Sequence, residues 1–344
     1  MRIDHVRSSA EVNKIDLQGG IMRKSLLGFV ASLALGASIA NAADIPVAPL
    51  YQPAVVASPW VVEAGARYWY SSGKNWYNLY DPVVLGQLNS RLTYDGMRAN
   101  SGEGFFRIDS PWGIFVKGYA GGGSIFSGHL YDEDFPPAVA PYSQTVSDLK
   151  GPLAYADVDA GFTFYDGRFG PFVGPRVRFG AFAGWHYWHE RADASGCAQI
   201  ANAVGPCAGA AAIPTSVLVV TEDDKFNALR LGAVADLWLT PQWKLTLDAA
   251  YARVWQKALD IHYFTVGPDP ASGQGNGLQL EGILNYQVTD YFNLGVGGRW
   301  WHYHTNATDQ VFNSLLKYTT ERYGVFVQGS VKFGEPLAAV LVRR

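Results

Sequence analysis

From residue 60 onward, apolar and polar side chains alternate with a period of two. In 243–255, Trp243, Leu245, Leu247, Ala249 and Tyr251 share one face, and Lys244, Thr246, Asp248 and Ala250 the other. In 226–239, Leu229, Leu231, Ala233, Ala235 and Leu237 oppose Arg230, Gly232 and Asp236. The same alternation sets Val158, Ala160, Phe162 and Phe164 against Asp157, Asp159 and Thr163. It also sets Tyr323, Val325, Val327, Val331 and Phe333 against Gln328, Ser330 and Lys332. A period of two places alternate side chains on opposite faces of a strand. The pattern predicts ten strands, over 60–70, 91–108, 113–124, 153–165, 177–192, 217–239, 242–257, 277–288, 291–304 and 318–333.

The polar face carries Lys, Arg and Asp beside Gly and Thr, and a sandwich core does not bury such charges cheaply. A soluble sheet with its apolar face inward is the plain alternative. The connections speak for the inverse. Those at 109–112, 240–242 and 288–290 are short, and 166–176 is somewhat longer. Those at 71–90, 125–152, 193–216, 258–276 and 305–317 are long. Short turns on one side and long loops on the other mark a bacterial outer-membrane barrel, apolar outside and polar inside. The expected fold is all-β: a ten-stranded transmembrane antiparallel barrel over 60–333, with its long loops facing the cell exterior. Trp185-His186-Tyr187-Trp188 and Trp300-Trp301-His302-Tyr303 read as an interfacial girdle.

The start of the chain supports export. Met22-Arg23-Lys24 is a basic head, 26–39 is apolar, and Ala40-Asn41-Ala42 is a small-x-small cleavage pattern. Residues 22–43 therefore read as a signal peptide. Residues 1–21 read as an extension ahead of a true start at Met22. Residues 44–59 become a periplasmic N-terminal segment, and 334–344 a periplasmic tail.

Composition narrows the classes further. Charged residues are 17% and hydrophobic ones 48%, which excludes a disordered chain. Lys+Arg is 27 against Asp+Glu 30, so there is no basic excess for a nucleic acid. The aromatic content, 11 Trp, 19 Tyr and 18 Phe, with 38 Gly, favours strands and turns over helices. Two cysteines do not make a disulfide scaffold. Cys197 and Cys207, in one long loop of an oxidising compartment, are expected to pair.

Two acidic spots carry candidate chemistry. Asp132-Glu133-Asp134 follows the third strand, and Asp260-Ile261-His262 the seventh. Residues two apart on an extended segment point the same way. Asp132 and Asp134 thus share a face, as do Asp260 and His262, and inward-pointing pairs would meet across the mouth. A carboxylate beside a histidine orients the imidazole and raises its basicity. Two close carboxylates do not both ionise freely. Taken alone, the Asp pair reads first as solvated loop acids, or with Glu133 as a loose calcium site. Asp260 and His262 alone read as an ordinary ion pair. His302 and His304 share a face and could ligate a metal, but sit in an aromatic girdle.

These segments resemble the omptins, outer-membrane proteases on a ten-stranded barrel. The segment 128–135 is similar to the one carrying the family's aspartate pair, and 258–263 to the one carrying its Asp-His dyad. Ser72-Gly73-Lys74 opens the first long loop as in omptins, and 178–185 resembles the fifth strand. The resemblance implies that Asp260 orients His262, that His262 activates water, and that Asp132 and Asp134 hold that water and the scissile carbonyl. It implies no metal or cofactor, and adds lipopolysaccharide as an activating lipid. At the family's lipopolysaccharide-binding positions stand Trp185, Tyr187 and His189. Where omptins that cut between basic residues carry acids, this chain has Tyr77, Ala258 and a position near Val146, with Asp148 close by. That speaks against a dibasic preference. The leading expectation is a monomeric endopeptidase with outer-membrane lipid and exposed polypeptides as partners, and no nucleic acid. The alternative is an inactive barrel serving as small porin, adhesin or anchor.

Overall fold

The computed structural model describes residues 60–168, 174–265 and 267–334. The expected extension, signal peptide, N-terminal segment and nearly all of the tail lie outside the described residues. The strands are β1 (Val61–Tyr80), β2 (Leu88–Asp109), β3 (Ile114–Asp134), β4 (Ser143–Arg168), β5 (Arg176–Ala201), β6 (Ile213–Trp238), β7 (Trp243–His262), β8 (Gly267–Gln287), β9 (Phe292–Asp309) and β10 (Leu315–Phe333). Each pairs antiparallel with its chain neighbours, and β1 pairs with β10, closing the barrel. Closure leaves no unpaired edge.

The strands are 18 to 26 residues long, longer than the alternation predicts. The expected long loops shrink to connections at 81–87, 135–142, 202–212, 263–266 and 310–314. A bilayer needs only about 9–11 tilted residues per strand. Beyond it both faces can be polar, so the hydrophobic alternation fades while the backbone ladder continues. The disulfide joins Cys197, on the far end of β5, to Cys207 in the 202–212 connection.

The apolar face points outward. Leu231 is 55% exposed, Val325 62% and Phe162 53%. Aromatic rings bound this belt at two levels. At the short-turn rim, Trp60 meets Trp112, Trp243 meets Tyr286, and Tyr291 meets Phe333. At the upper level, Trp185 stacks on Trp255 at 5.7 Å. Trp243 and Trp255 lie twelve residues apart on β7, which at a 45° tilt spans about 29 Å. That height suits the apolar band of a transmembrane barrel, about 25 Å.

Side chains seal the lumen, around a cavity lined by Arg67, Lys117, Asp248 and Glu281. In the belt half, Arg299 binds Glu103 at 2.8 Å and Glu281 at 2.5 Å. Arg230 pairs with Asp157, Asp159 and Asp248, and Arg178 with Asp236. Above this network lies an aromatic layer of Trp69, Tyr155, Trp188, Trp301 and Tyr303, with His186 buried against it. This corrects the girdle expectation. Only alternate members of each aromatic cluster, such as Trp185 and Trp300, face outward. Trp188, Trp301, Tyr303 and His186 are inside, because adjacent residues on a strand cannot share a face. Arg322, bound to Glu190 at 2.7 Å, caps the layer.

Candidate active site

The site lies above that cap, at the mouth on the long-loop rim. It is built from two strands that behave differently. β7 pairs with β6 and β8 with no register shift along its length. The inward frame of Lys244, Asp248 and Ala252 therefore continues unbroken to Asp260 and His262. β3 breaks its frame. In its lower part Phe115 and Ile125 are the buried inward residues; above, Leu130 is. The odd frame becomes even at a double irregularity between β2 and β3. Asp95 pairs with His129 and Arg98 with Ser127, so Gly96 and Met97 oppose Gly128 alone. Ala99 then pairs with Ile125, leaving Phe126 extra on β3. Gly96 takes φ +63°, a left-handed conformation open to glycine. A Cβ on Gly128 would lie 3.1 Å from the Asp95 carbonyl. The extra Phe126 turns the β3 frame, and without it Asp132 and Asp134 would face outward.

Asp260 Oδ1 sits 3.2 Å from His262 Nδ1. The Tyr77 hydroxyl donates to Asp260 Oδ2 at 2.6 Å. Tyr77 is buried, with its ring 4.6 Å from that of Tyr318 and 6.5 Å from that of Tyr94. The Tyr318 hydroxyl donates to Glu222 at 3.4 Å. Asn75 and Gln256 donate to Asp224 at 2.6 and 2.7 Å, closing the floor. Across the mouth, the Ser90 hydroxyl reaches Asp132 at 3.5 Å. Among the described residues no direct hydrogen bond joins the Asp132–Asp134 pair to the Asp260–His262 pair.

The two pairs nevertheless feel each other's charge. Burial opposes a proton on His262, but the hydrogen bond and charge of Asp260, with the charges of Asp132 and Asp134, hold it up to about 9. Burial, then the neighbouring Asp134, push Asp132 up to about 7, against the pull of His262. Burial also raises Asp134, again opposed by His262. Burial and then the charge of Asp260 lift Tyr77 well above the ordinary tyrosine value, so it remains a donor. Burial, then Asp224 and Asp260, raise Glu222 well above the carboxylate range. No Lys or Arg among the described residues forms an ion pair with these acids. The site is thus an acid-rich mouth around one imidazole.

The other expected positions divide between the mouth and the outer wall. Tyr77 and Ala258 lie inside the mouth, as expected, but on strands rather than in loops. Asp148 faces outward, 3.5 Å from His129, and Val146 shares its face, because the inward frame of β4 runs through Ser143, Thr145 and Ser147. Glu222, Asp224, Tyr94 and Tyr318 were not foreseen. Extending the inward frame of Arg230 upward by two-residue steps would have found both acids.

No family model and no curated protein matches the chain in sequence. Among solved structures, the outer membrane protease OmpT from Escherichia coli superposes with a TM-score of 0.63, over 79% of this chain and 97% of that one. The fold is the omptin fold. Identity to OmpT is 16%, so the likeness is one of architecture. A Pseudomonas aeruginosa FadL homologue aligns over 80% of this chain and 90% of its own, at 8% identity. Its TM-score of 0.21 is too low to bear on the omptin-fold assignment.

Proposed function

We propose that this omptin-fold barrel is an outer-membrane endopeptidase with its site-bearing rim toward the cell exterior. The observation that carries the reading is the convergence of a carboxylate–imidazole pair and a carboxylate pair at one solvent-open mouth, above a sealed lumen. In the reaction, neutral His262 takes a proton from water as the water oxygen bonds to the scissile carbonyl carbon. His262 then gives that proton to the leaving amine as the C–N bond breaks. Asp260, anchored by Tyr77, holds the imidazole. Asp132 and Asp134 hold the water, and a proton on Asp132 lets the pair polarise the carbonyl. The substrate is exposed polypeptide, the working unit is one chain, and lipopolysaccharide around the belt is the activating lipid.

A porin reading has against it the aromatic layer of Trp69, Trp188, Trp301 and Tyr303 across the lumen. An adhesin or anchor reading shares the scaffold and differs in turnover. The test is digestion of a peptide library by the refolded barrel with and without lipopolysaccharide, beside a His262→Ala variant. Cleavage by the wild type and none by the variant is expected. Cleavage that the variant retains, or no cleavage by either, overturns the proposal.

A further inference from the structure

The outer wall carries a second cluster of ring nitrogens, independent of the mouth. His302 and His304 lie two apart on β9, on the outward face just above Trp300, which stacks on His302 at 5.3 Å. Their rings stand nearly perpendicular, at 86°, and the two Nε2 atoms approach to 2.8 Å. The other nitrogen of each ring faces an oxygen across the β9–β10 ladder. His302 Nδ1 faces Glu321 Oε2 at 3.5 Å, and His304 Nδ1 contacts Thr319 Oγ1 at 2.8 Å. Both oxygens come from the residues directly opposite, Glu321 and Thr319.

This is the arrangement of a metal ligand pair with its outer support in place. A ligating imidazole usually gives its second N–H to a carboxylate or another oxygen, which fixes tautomer and ring. Here Thr319 holds His304 Nδ1, Glu321 lies within reach of His302 Nδ1, and the two Nε2 atoms stand side by side. With a proton on each Nδ1, the two Nε2 lone pairs would face each other, and a shared cation relieves the repulsion. Two nitrogens about 2.0–2.1 Å from a tetrahedral ion lie about 3.3 Å apart, so the rings need to part only slightly.

The geometry points to a surface site for a late first-row divalent cation, Cu²⁺, Ni²⁺ or Zn²⁺, held by His302 and His304 and supported by Glu321 and Thr319. Imidazole pairs suit these ions, with Cu²⁺ bound most tightly, and do not suit Ca²⁺ or Mg²⁺. Among the described residues no group of three ligating side chains is gathered for a metal, so the ion keeps positions open to solvent.

The test is titration of the untagged, full-length, refolded barrel in detergent with Cu²⁺ and with Ni²⁺, read by calorimetry and by electron paramagnetic resonance of bound Cu²⁺. One ion per barrel is expected, with coupling to two imidazole nitrogens. His304→Asn should weaken binding at least ten-fold and remove one coupled nitrogen. Glu321→Gln should weaken it about ten-fold with both nitrogens retained. Circular dichroism and barrel closure in each variant exclude misfolding. Absence of binding at millimolar Cu²⁺, or binding unchanged in the folded His302→Asn/His304→Asn double variant, overturns the assignment. A His262→Ala variant should bind as the wild type does, which separates this site from the mouth.

Discussion

The two halves of the lumen treat charge in opposite ways. In the belt half, Arg299, Arg230 and Arg178 are each clamped by carboxylates within hydrogen-bond distance. In the upper half, Asp132, Asp134, Glu222, Asp224 and Asp260 line the mouth with His262, and no Lys or Arg among the described residues forms an ion pair with them. Balanced charge in the belt half is scaffold: it ties strands on opposite walls of a closed cylinder. Unbalanced charge in the upper half moves protons away from their ordinary affinities, which acid–base chemistry requires.

The sharpest way to break this contrast is to exchange the consequences of substitution. His262→Ala should cut peptide cleavage about 10²–10⁴-fold while leaving the urea midpoint above pH 9, where its proton no longer lends stability, near that of the wild type. Equal losses of activity and stability would make the upper half scaffold too. Arg299→Met should do the reverse. It leaves Glu103 and Glu281 to share Arg67 alone and should cost about 3–5 kcal/mol of stability, read as a lower unfolding midpoint in a lipid bilayer. A stable Arg299→Met barrel would mean that the belt charges are dispensable.

Smaller changes refine the picture. Tyr77→Phe removes the donor to Asp260 and should lower kcat about ten-fold, a loss of the size of one charged hydrogen bond, with KM little changed. With His262 neutral as the base and Asp132 protonated as the acid, the cleavage rate should rise with pH to about 7, stay level to about 9 and fall above it. Asp134→Asn removes a charge that raises both Asp132 and His262, so both limbs should move to lower pH. Stability gives a further, smaller signal. His262 is held above its ordinary 6.5, so the stability it lends is whole below that pH and lost as pH rises through about 9. Asp132, raised from 3.8 to about 7, acts in the same sense. The upper half should therefore loosen on the alkaline side, and urea midpoints that climb from pH 6 to pH 9 would contradict this.

The two arms of the mouth also differ in how far they could be read in advance. On β7 the frame set by Trp243 and Lys244 holds to the end, so the inward direction of Asp260 and His262 was legible in the sequence. On β3 the frame of Phe115 and Lys117, carried forward, turns Asp132 outward. The correction comes from Phe126, extra on β3 where Arg98 and Ala99 pair with Ser127 and Ile125, with Gly96 and Met97 making the matching step on β2. A bulge is a property of a strand pair, and its position depends on which residue meets which across the ladder. The acids Glu222 and Asp224 lay within reach of the sequence, since β6 keeps its inward frame. Tyr77 was expected in a loop because the outer halves of the strands carry no hydrophobic alternation.

The sequence by itself determined the closed ten-stranded wall, because alternation every second residue dictates which face meets lipid and which meets the lumen. It also fixed the chemical identity of the candidate groups. Tertiary structure alone decided that carboxylates from β3 and β7 influence each other, that Tyr77 reaches Asp260, and that half of each aromatic cluster seals the lumen. Those outcomes depend on register and on contacts across the cylinder, between residues more than a hundred positions apart in the chain, and no local pattern encodes such distances.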